Sequence, residues 1–326
     1  MKDKKIVTVI GGGTGTFVVL SGLKKYDFDL GVIVSMMDSG GSTGKLRDQL
    51  GVLPPGDLRQ CLIALSEAPL LWRQLFLYRF ESGDMQGHNF GNIFLSALEK
   101  VAENYEEVIK NASYILKTRG KVIPITFTKT NLCVEYENGK VIKGEGNIDE
   151  DNHESSRIKK AFLEPEVEAN KKALSRIKKS DYIIVAPGDI YTSIIPVLLA
   201  QKMKETITTS PAKIIYVMNL MTKSGQTHNY SAQDHIIDLE NYLGRKIDYV
   251  IYNEGKISQA ILDWYSQNQE KQVVLKKTAK IKAKVIKDNI IDNLVFTKKN
   301  QDQLSRSILR HNPEKLAQVL FKLIND

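Results

Sequence analysis

The sequence predicts an α/β fold: a Rossmann-like, doubly wound, mainly parallel sheet with helices on both faces. Three observations carry that prediction. Short runs rich in Val and Ile, such as "KIVTVI", "DYIIVAP", "AKIIYVMNL" and "DYVIYNE", alternate with stretches of helical period. Each run is almost continuously apolar, as strands covered on both faces must be. Glycine turns follow two of them, in "IGGGTGT" and "APGDIYTSIIP", where such sheets pass into helices and bind ligands.

The elements follow in order. "KIVTVI" leads through four glycines within five positions into a helix around residues 15–25, and "LGVIVSMM" is the next strand. "DLRQCLIALS", "LLWRQLFLYRF" and "NFGNIFLSALEKVAENY" place Leu, Ile and Phe three and four residues apart and read as successive helices. "NLCVEYENGKVIKGEGNI" breaks the rhythm, alternating at period two around Asn138-Gly139, the strongest short signal for an antiparallel hairpin. Strand then helix recurs three times from Asp181 onward. No linker-like stretch interrupts the chain, so a single domain over residues 1–326 is expected, with a small β-hairpin insertion at about 130–150.

Composition narrows the partners. The formal charge is +8, and nine lysines between Lys271 and Lys299 face only Asp288 and Asp292. These lysines alternate with Val, Leu and Ile, a pattern of strand edges protected by charge, and no aromatic interleaving or nucleic-acid motif accompanies them. Nucleic acid is therefore not an expected partner. Cys61 and Cys133 lack metal-ligand spacing and imply a reducing compartment. The most apolar window, "YIIVAPGDIYTSIIPVLLA", carries Pro187, Gly188 and Asp189 in its middle, so no membrane span is expected and a cytoplasmic location is.

The chemistry concentrates in the turns. In "IGGGTGT", Gly11, Gly13 and Thr16 occupy the three glycine positions of a dinucleotide fingerprint, the last one unfilled. Asp38, at the end of the second strand, stands where a ribose-binding acid would be. "MDSGGSTGKLRDQLG" resembles a Walker loop through Gly44-Lys45, but Ser39 and Leu46 break that motif, leaving small residues, hydroxyls, Asp38, Lys45 and Arg47 suited to a diphosphate or a metal. Asp57, after Pro54-Pro55-Gly56, is placed to cap a helix starting at Leu58. His88, Asn89 and Asn92 in "GHNFGN" suit either ligand reading or capping. Gly188, Thr192 and Ser193 repeat the anion-ready turn, and two such turns in one parallel sheet would bring their amides to the same edge.

The run "IGGGTGT", "DSGGSTGKLRDQLGVLPPGDLRQCL", "GHNFGN", "APGDIYTSIIP" and "VMNLMTKSGQT" resembles the gluconeogenesis factor (YvcK-like) family, a branch of the CofD-like superfamily. The resemblance covers nearly the whole chain, and "GVLPPGDLR" separates this branch from the phospholactate transferases. It implies a protein that binds a nucleotide-sugar such as UDP-N-acetylglucosamine and is needed for cell shape and envelope growth on gluconeogenic carbon, with envelope-regulating protein partners and a homo-oligomeric state as further expectations. Established turnover is not implied. The related transferases move a phospholactyl group from a guanylyl donor onto a deazaflavin precursor with magnesium; that is the alternative, with Asp38 as catalytic and metal-binding residue. A nicotinamide-dependent oxidoreductase fits the first turn but has no obvious hydride-transfer site.

Carried over residue by residue, Gly11, Gly12, Gly13, Thr14 and Gly15 would meet ligand phosphates, and the loop Asp38, Ser39, Gly40, Gly41 and Ser42 would line the same site. Asn219 ends a strand at the ligand edge. Tyr265 and Arg310 match family positions associated with the sugar-nucleotide, although chemistry alone would also accept Tyr265 as core and Arg310 as a salt-bridge partner. Two departures stand out. Ser39 replaces the second of two adjacent acids, removing a carboxylate from a metal site, and Asp189 replaces a usual serine, making an anion pocket more negative.

Overall fold

A computed structural model describes residues 4–150, 156–276, 281–292 and 308–326. Its main sheet has seven strands, all parallel: β1 (Ile6–Gly11), β2 (Asp29–Val34), β3 (Lys121–Pro124), β7 (Tyr182–Val185), β8 (Lys213–Val217), β9 (Tyr249–Asn253) and β10 (Lys284–Asp288). They lie in the order β10-β9-β8-β7-β1-β2-β3. From β1 the chain moves outward to β2 and β3, whereas from β7 it moves the opposite way. Right-handed crossovers in opposite directions put their helices on opposite faces, so both faces are covered. The central strands accordingly bury nearly everything: Val7, Val9 and Ile10 of β1 and Ile214, Ile215 and Tyr216 of β8 have no exposed surface.

Helix Gly13–Leu23 packs on helices Gly56–Leu65 and Pro313–Asn325. On the other side, helices Lys171–Lys179, Met203–Thr209 and Ala232–Leu243 pack in succession. Local chemistry sets their ends. Ser231 and Asp234 form a capping box, and Gly244 closes the same helix at φ 74°. "NFGNIFLSALEKVAENY" is two helices rather than one, Phe90–Val101 and Tyr105–Ile115, because Asn104 accepts the Glu107 amide and restarts the ladder. The lysine-rich segment supplies the edge strand β10, whose Lys284, Lys287 and Asp288 face water; residues 277–280 and 293–299 of it lie outside the described residues.

The hairpin at Asn138-Gly139 is present as β4 (Asn131–Tyr136) and β5 (Val141–Lys143). It is separate from the main sheet and gains a third strand, β6 (Ile158–Glu164), giving the order β5-β4-β6. Between β5 and β6 a short helix, Glu145–Glu150, folds back over the carboxyl edge of the main sheet. At the opposite, amino edge, buried Arg176 donates from Nε to Thr8 Oγ1 at 2.9 Å, from Nη1 to Asp29 Oδ1 at 2.8 Å, and from Nη2 to the Val7 and Asp29 carbonyls.

Candidate functional site

The direction of winding reverses between β1 and β7, so a crevice opens beyond their carboxyl ends. Both glycine turns sit there. They are in direct contact: a Cβ on Gly15 would overlap the Pro187 carbonyl oxygen, and one on Gly188 would lie 3.9 Å from the Gly12 carbonyl. Gly15 is thus required for the first helix to approach the second turn. Asn219, at the end of β8, ties in the third strand by donating from Nδ2 to the Gly188 carbonyl at 2.6 Å, while Tyr216 donates to its Oδ1 at 2.9 Å. The turn at Asp189 enters a single π-helical turn, Ile190–Ile194, a local irregularity often found at functional sites.

A cleft of about 740 Å³, its open mouth included, starts at Thr14, Gly15 and Gly188 and runs past Asn219 to Tyr265 and Arg310. Lys223, Glu270, Trp264 and His311 complete its wall. Lys223 is mostly buried and lies 3.8 Å from Glu270 Oε1. Burial alone would lower the Lys223 ammonium, but Asp189, Asp149 and Glu270 outweigh it and hold the group above its usual range, fully charged. Tyr265 is buried and accepts the Leu309 amide at its hydroxyl, 3.2 Å, so it packs as core while forming part of the cleft.

Next to the cleft lies a floor of carboxylates, Asp57 buried and Asp38, Glu145 and Asp149 half-buried. Gly13 N–H donates to Asp57 Oδ1 at 2.8 Å, and Gly12 must lack a Cβ because the Asp57 carboxylate fills that space. Asp57 therefore does something other than capping: its helix begins at Gly56 with Pro55 at the cap, and the Asp57 side chain instead reaches the first glycine turn. Gly40 N–H donates to Asp38 Oδ1 at 3.0 Å, and Ser39 N–H to Glu145 Oε2 at 3.1 Å. Asp149 accepts from Gln226 Nε2 at 2.5 Å and Thr192 Oγ1 at 3.3 Å. Burial pushes the Asp57 carboxyl up to about 8, with neighbouring Asp38 adding to the rise. Burial and Asp189 bring Asp149 to about 7, and burial raises both Asp38 and Glu145.

Among the described residues no three His, Cys, Asp or Glu side chains are grouped to hold a metal ion. Asp38, Asp57 and Glu145 each accept a backbone amide instead, and their side chains are not grouped as a magnesium site requires.

The other anticipated residues fall into two places. Thr14, Gly15, Gly188, Asn219, Tyr265 and Arg310 share the cleft. The stretch read as a loop is a helix, Gly41–Leu50, ended by Gly51 at φ 65°, and it packs on "GHNFGN". Ser42 Oγ accepts the Asn89 amide at 3.2 Å and lies 3.4 Å from His88 Nδ1. Asn89 caps its own helix, and Asn92 accepts from buried Arg59 at 2.7 Å. Arg47 pairs with Asp48 at 3.0 Å. Ser193 lies close to Gly13, whose Cβ would sit 3.8 Å from its Oγ.

Glu145, Asp149, Lys223, Trp264, Glu270 and His311 were missed by the sequence reading. "MTKSGQ" directly after a strand carried a signal for Lys223, since a lysine beside a turn at the ligand edge suits a phosphate. Glu145 and Asp149 had none, because their approach depends on the fold-back of the insertion.

The family model described as 2-phospho-L-lactate transferase CofD matches residues 7–291. A putative gluconeogenesis factor of Thermoanaerobacterium thermosulfurigenes is 40% identical over 320 residues, covering 98% of this chain and 96% of that protein. The gluconeogenesis factor of Bacillus subtilis is 36% identical over 331 residues, covering the whole of both chains. A crystal structure of a UPF0052 family member from Bacillus halodurans superposes with a TM-score of 0.89 at 34% identity, over 98% of this chain and 100% of that one. Sequence and fold agree, and the chain belongs to the gluconeogenesis factor branch of the CofD-like superfamily.

Proposed function

We propose that the cleft binds a nucleotide-sugar of the UDP-N-acetylglucosamine type as a regulatory ligand, in a cytoplasmic protein that supports cell shape and envelope growth on gluconeogenic carbon. One observation carries this reading: the turns at Thr14-Gly15 and Gly188, 173 positions apart in sequence, open onto one cleft that also holds Lys223 and Arg310. Amides at helix starts and two cations suit a diphosphate, and a cleft of about 740 Å³ leaves room for a ring beside it. The names of the relatives support a role in gluconeogenic growth. The ligand is read rather than converted: the carboxylates nearest the turns face the protein's own amides.

The test is a thermal-shift and calorimetric titration with UDP-N-acetylglucosamine. A ligand at one hundred times its Kd stabilises the native state by about 2.7 kcal/mol. The expected result is a rise in melting temperature with the nucleotide-sugar recovered intact. No shift with any uridine nucleotide defeats the reading. Magnesium-dependent product formation from a guanylyl phospholactate donor and a deazaflavin acceptor, lost in Asp38→Asn, establishes the transferase in its place.

A further inference from the structure

The wall of the cleft contains a histidine whose ring nitrogen has no partner within the fold. His311 is 5% exposed and lines the cleft, yet its Nε2 has no hydrogen-bond partner. Its backbone is fixed on both sides. His311 forms an antiparallel bridge with Ile291, Asp292 N–H donates to the Arg310 carbonyl, and Asn312 N–H donates to the Ile290 carbonyl. Asn312 then caps helix Pro313–Asn325. The bridge fixes the backbone from which the ring projects.

The ring's protonation follows from its neighbours. His311 contacts the Met218 backbone, whose N–H already donates to the Ile251 carbonyl, so the Met218 carbonyl is the group left for the ring. The ring therefore donates from Nδ1, and Nε2 carries the lone pair. Burial lowers the imidazole to about 4, which keeps it neutral throughout the physiological range. A buried acceptor without a donor costs about 1–3 kcal/mol. A partner from outside the fold, a ligand group or an ordered water, removes that cost.

The surroundings limit what that ligand group is. Leu220, Met221 and Leu309 make the adjoining wall apolar. Trp264, half-buried on the same wall, meets the Tyr265 ring edge-on at 4.9 Å between centroids. An indole beside a neutral acceptor suits an uncharged ring, base or sugar, carrying an N–H or O–H. A phosphate does not suit it, since unprotonated Nε2 has no proton to offer.

We propose that His311 determines ligand specificity by accepting a hydrogen bond from the uncharged ring of the ligand, whose face lies against Trp264. This rests on the nucleotide-sugar reading above and adds to it a residue and a polarity. A site built to accept such a bond rejects an analogue without the donor more strongly than an apolar pocket rejects a change in size.

The experiment titrates UDP-N-acetylglucosamine, UDP and N-acetylglucosamine 1-phosphate into wild type, His311→Phe and His311→Gln. The Phe variant keeps a ring and loses the acceptor; the Gln variant keeps a carbonyl acceptor. The expected result is an affinity about tenfold weaker in His311→Phe and retained within about threefold in His311→Gln. A loss that extends to UDP assigns the donor to the nucleoside, and a loss confined to the two sugar-bearing ligands assigns it to the sugar. Nitrogen NMR of the wild-type histidines provides a second readout that survives misfolding of a variant: the unprotonated Nε2 of His311 shifts upfield on saturation with UDP-N-acetylglucosamine. Equal binding by wild type and His311→Phe, or an unmoved Nε2 resonance in the saturated protein, overturns the inference alone. Failure of wild type to bind any of the three ligands overturns the nucleotide-sugar reading and the inference with it.

Discussion

The two edges of the seven-stranded sheet treat buried charge in opposite ways. At the amino edge Arg176 is answered on all sides, by Thr8, by the Asp29 carboxylate and by two carbonyls; burial would raise the Asp29 carboxyl, but Arg176, with Lys121, holds it below the usual carboxylate range. At the carboxyl edge Asp38, Asp57, Glu145 and Asp149 are gathered largely away from water, and burial raises all four instead. A charge that stabilises a fold is paired; a collection of like charges persists where something other than stability selects it. The difference locates function at one edge and fold maintenance at the other.

Neutralising a buried charge should therefore move stability in opposite directions at the two edges. The largest effect expected is at the amino edge. Arg176→Met removes the guanidinium from Thr8 and two carbonyls and leaves the partly exposed Asp29 carboxylate to Lys121 alone, a loss of about 3 kcal/mol in urea denaturation. A loss below about 1 kcal/mol contradicts the structural role given to this edge. Gly15→Ala comes next. Its Cβ overlaps a backbone oxygen that cannot rotate away, so about 2–3 kcal/mol is expected together with loss of ligand binding, because the two turns must separate. Unchanged stability in that variant means the turns are not in contact.

Asp57→Asn should act in the other direction. The folded value of about 8 lies above the ordinary 3.8, so the native state holds a proton that the unfolded chain has released, and stability falls as pH rises through that window. The amide cannot ionise, so the variant escapes the fall while Asn Oδ1 still accepts from Gly13. Its advantage over wild type is expected to widen by about 4 kcal/mol between pH 5 and 8.5 in parallel melts. A constant difference across that range removes the case for a proton-loaded floor. The smallest effect belongs to Arg47→Ala. Its partner Asp48 is exposed, so stability should change by less than about 0.5 kcal/mol in the same denaturation assay; a loss above 1 kcal/mol means Arg47 supports the Asp38 carboxylate more than its surface pair.

Much of this division was legible before any coordinates. Five apolar runs became β1, β2, β7, β8 and β9, since doubly covered strands leave a pattern that local sequence carries. Gly244 and Ser231 mark one helix at both ends through chemistry confined to a few residues. Where the reading failed, the cause was a contact between distant segments or a competing local signal. Asp57 is a plausible cap by position, but Gly13, 44 positions earlier, offers its carboxylate a better partner. "VAENYEE" contained its own break, because Asn104 followed three residues later by Glu107 is a capping pair that helical period alone hides. For His311 the sequence gives no sign that one nitrogen is satisfied and the other is not; that asymmetry exists only once Met218 and the bridge to Ile291 are in place.

The helix that folds back onto Ser39 has a further consequence. Glu145 Oε2 and the Gly146 amide clasp the Ser39 amide and hydroxyl across more than a hundred residues of chain. An excised fragment that stops short of residue 145 would retain β1 and β2 with their turns but present Ser39 to bulk water. Assembly of the acidic chamber is thus tied to completion of the little three-stranded sheet, and mutations remote from the ligand, in that sheet, can reach the chamber by loosening its roof.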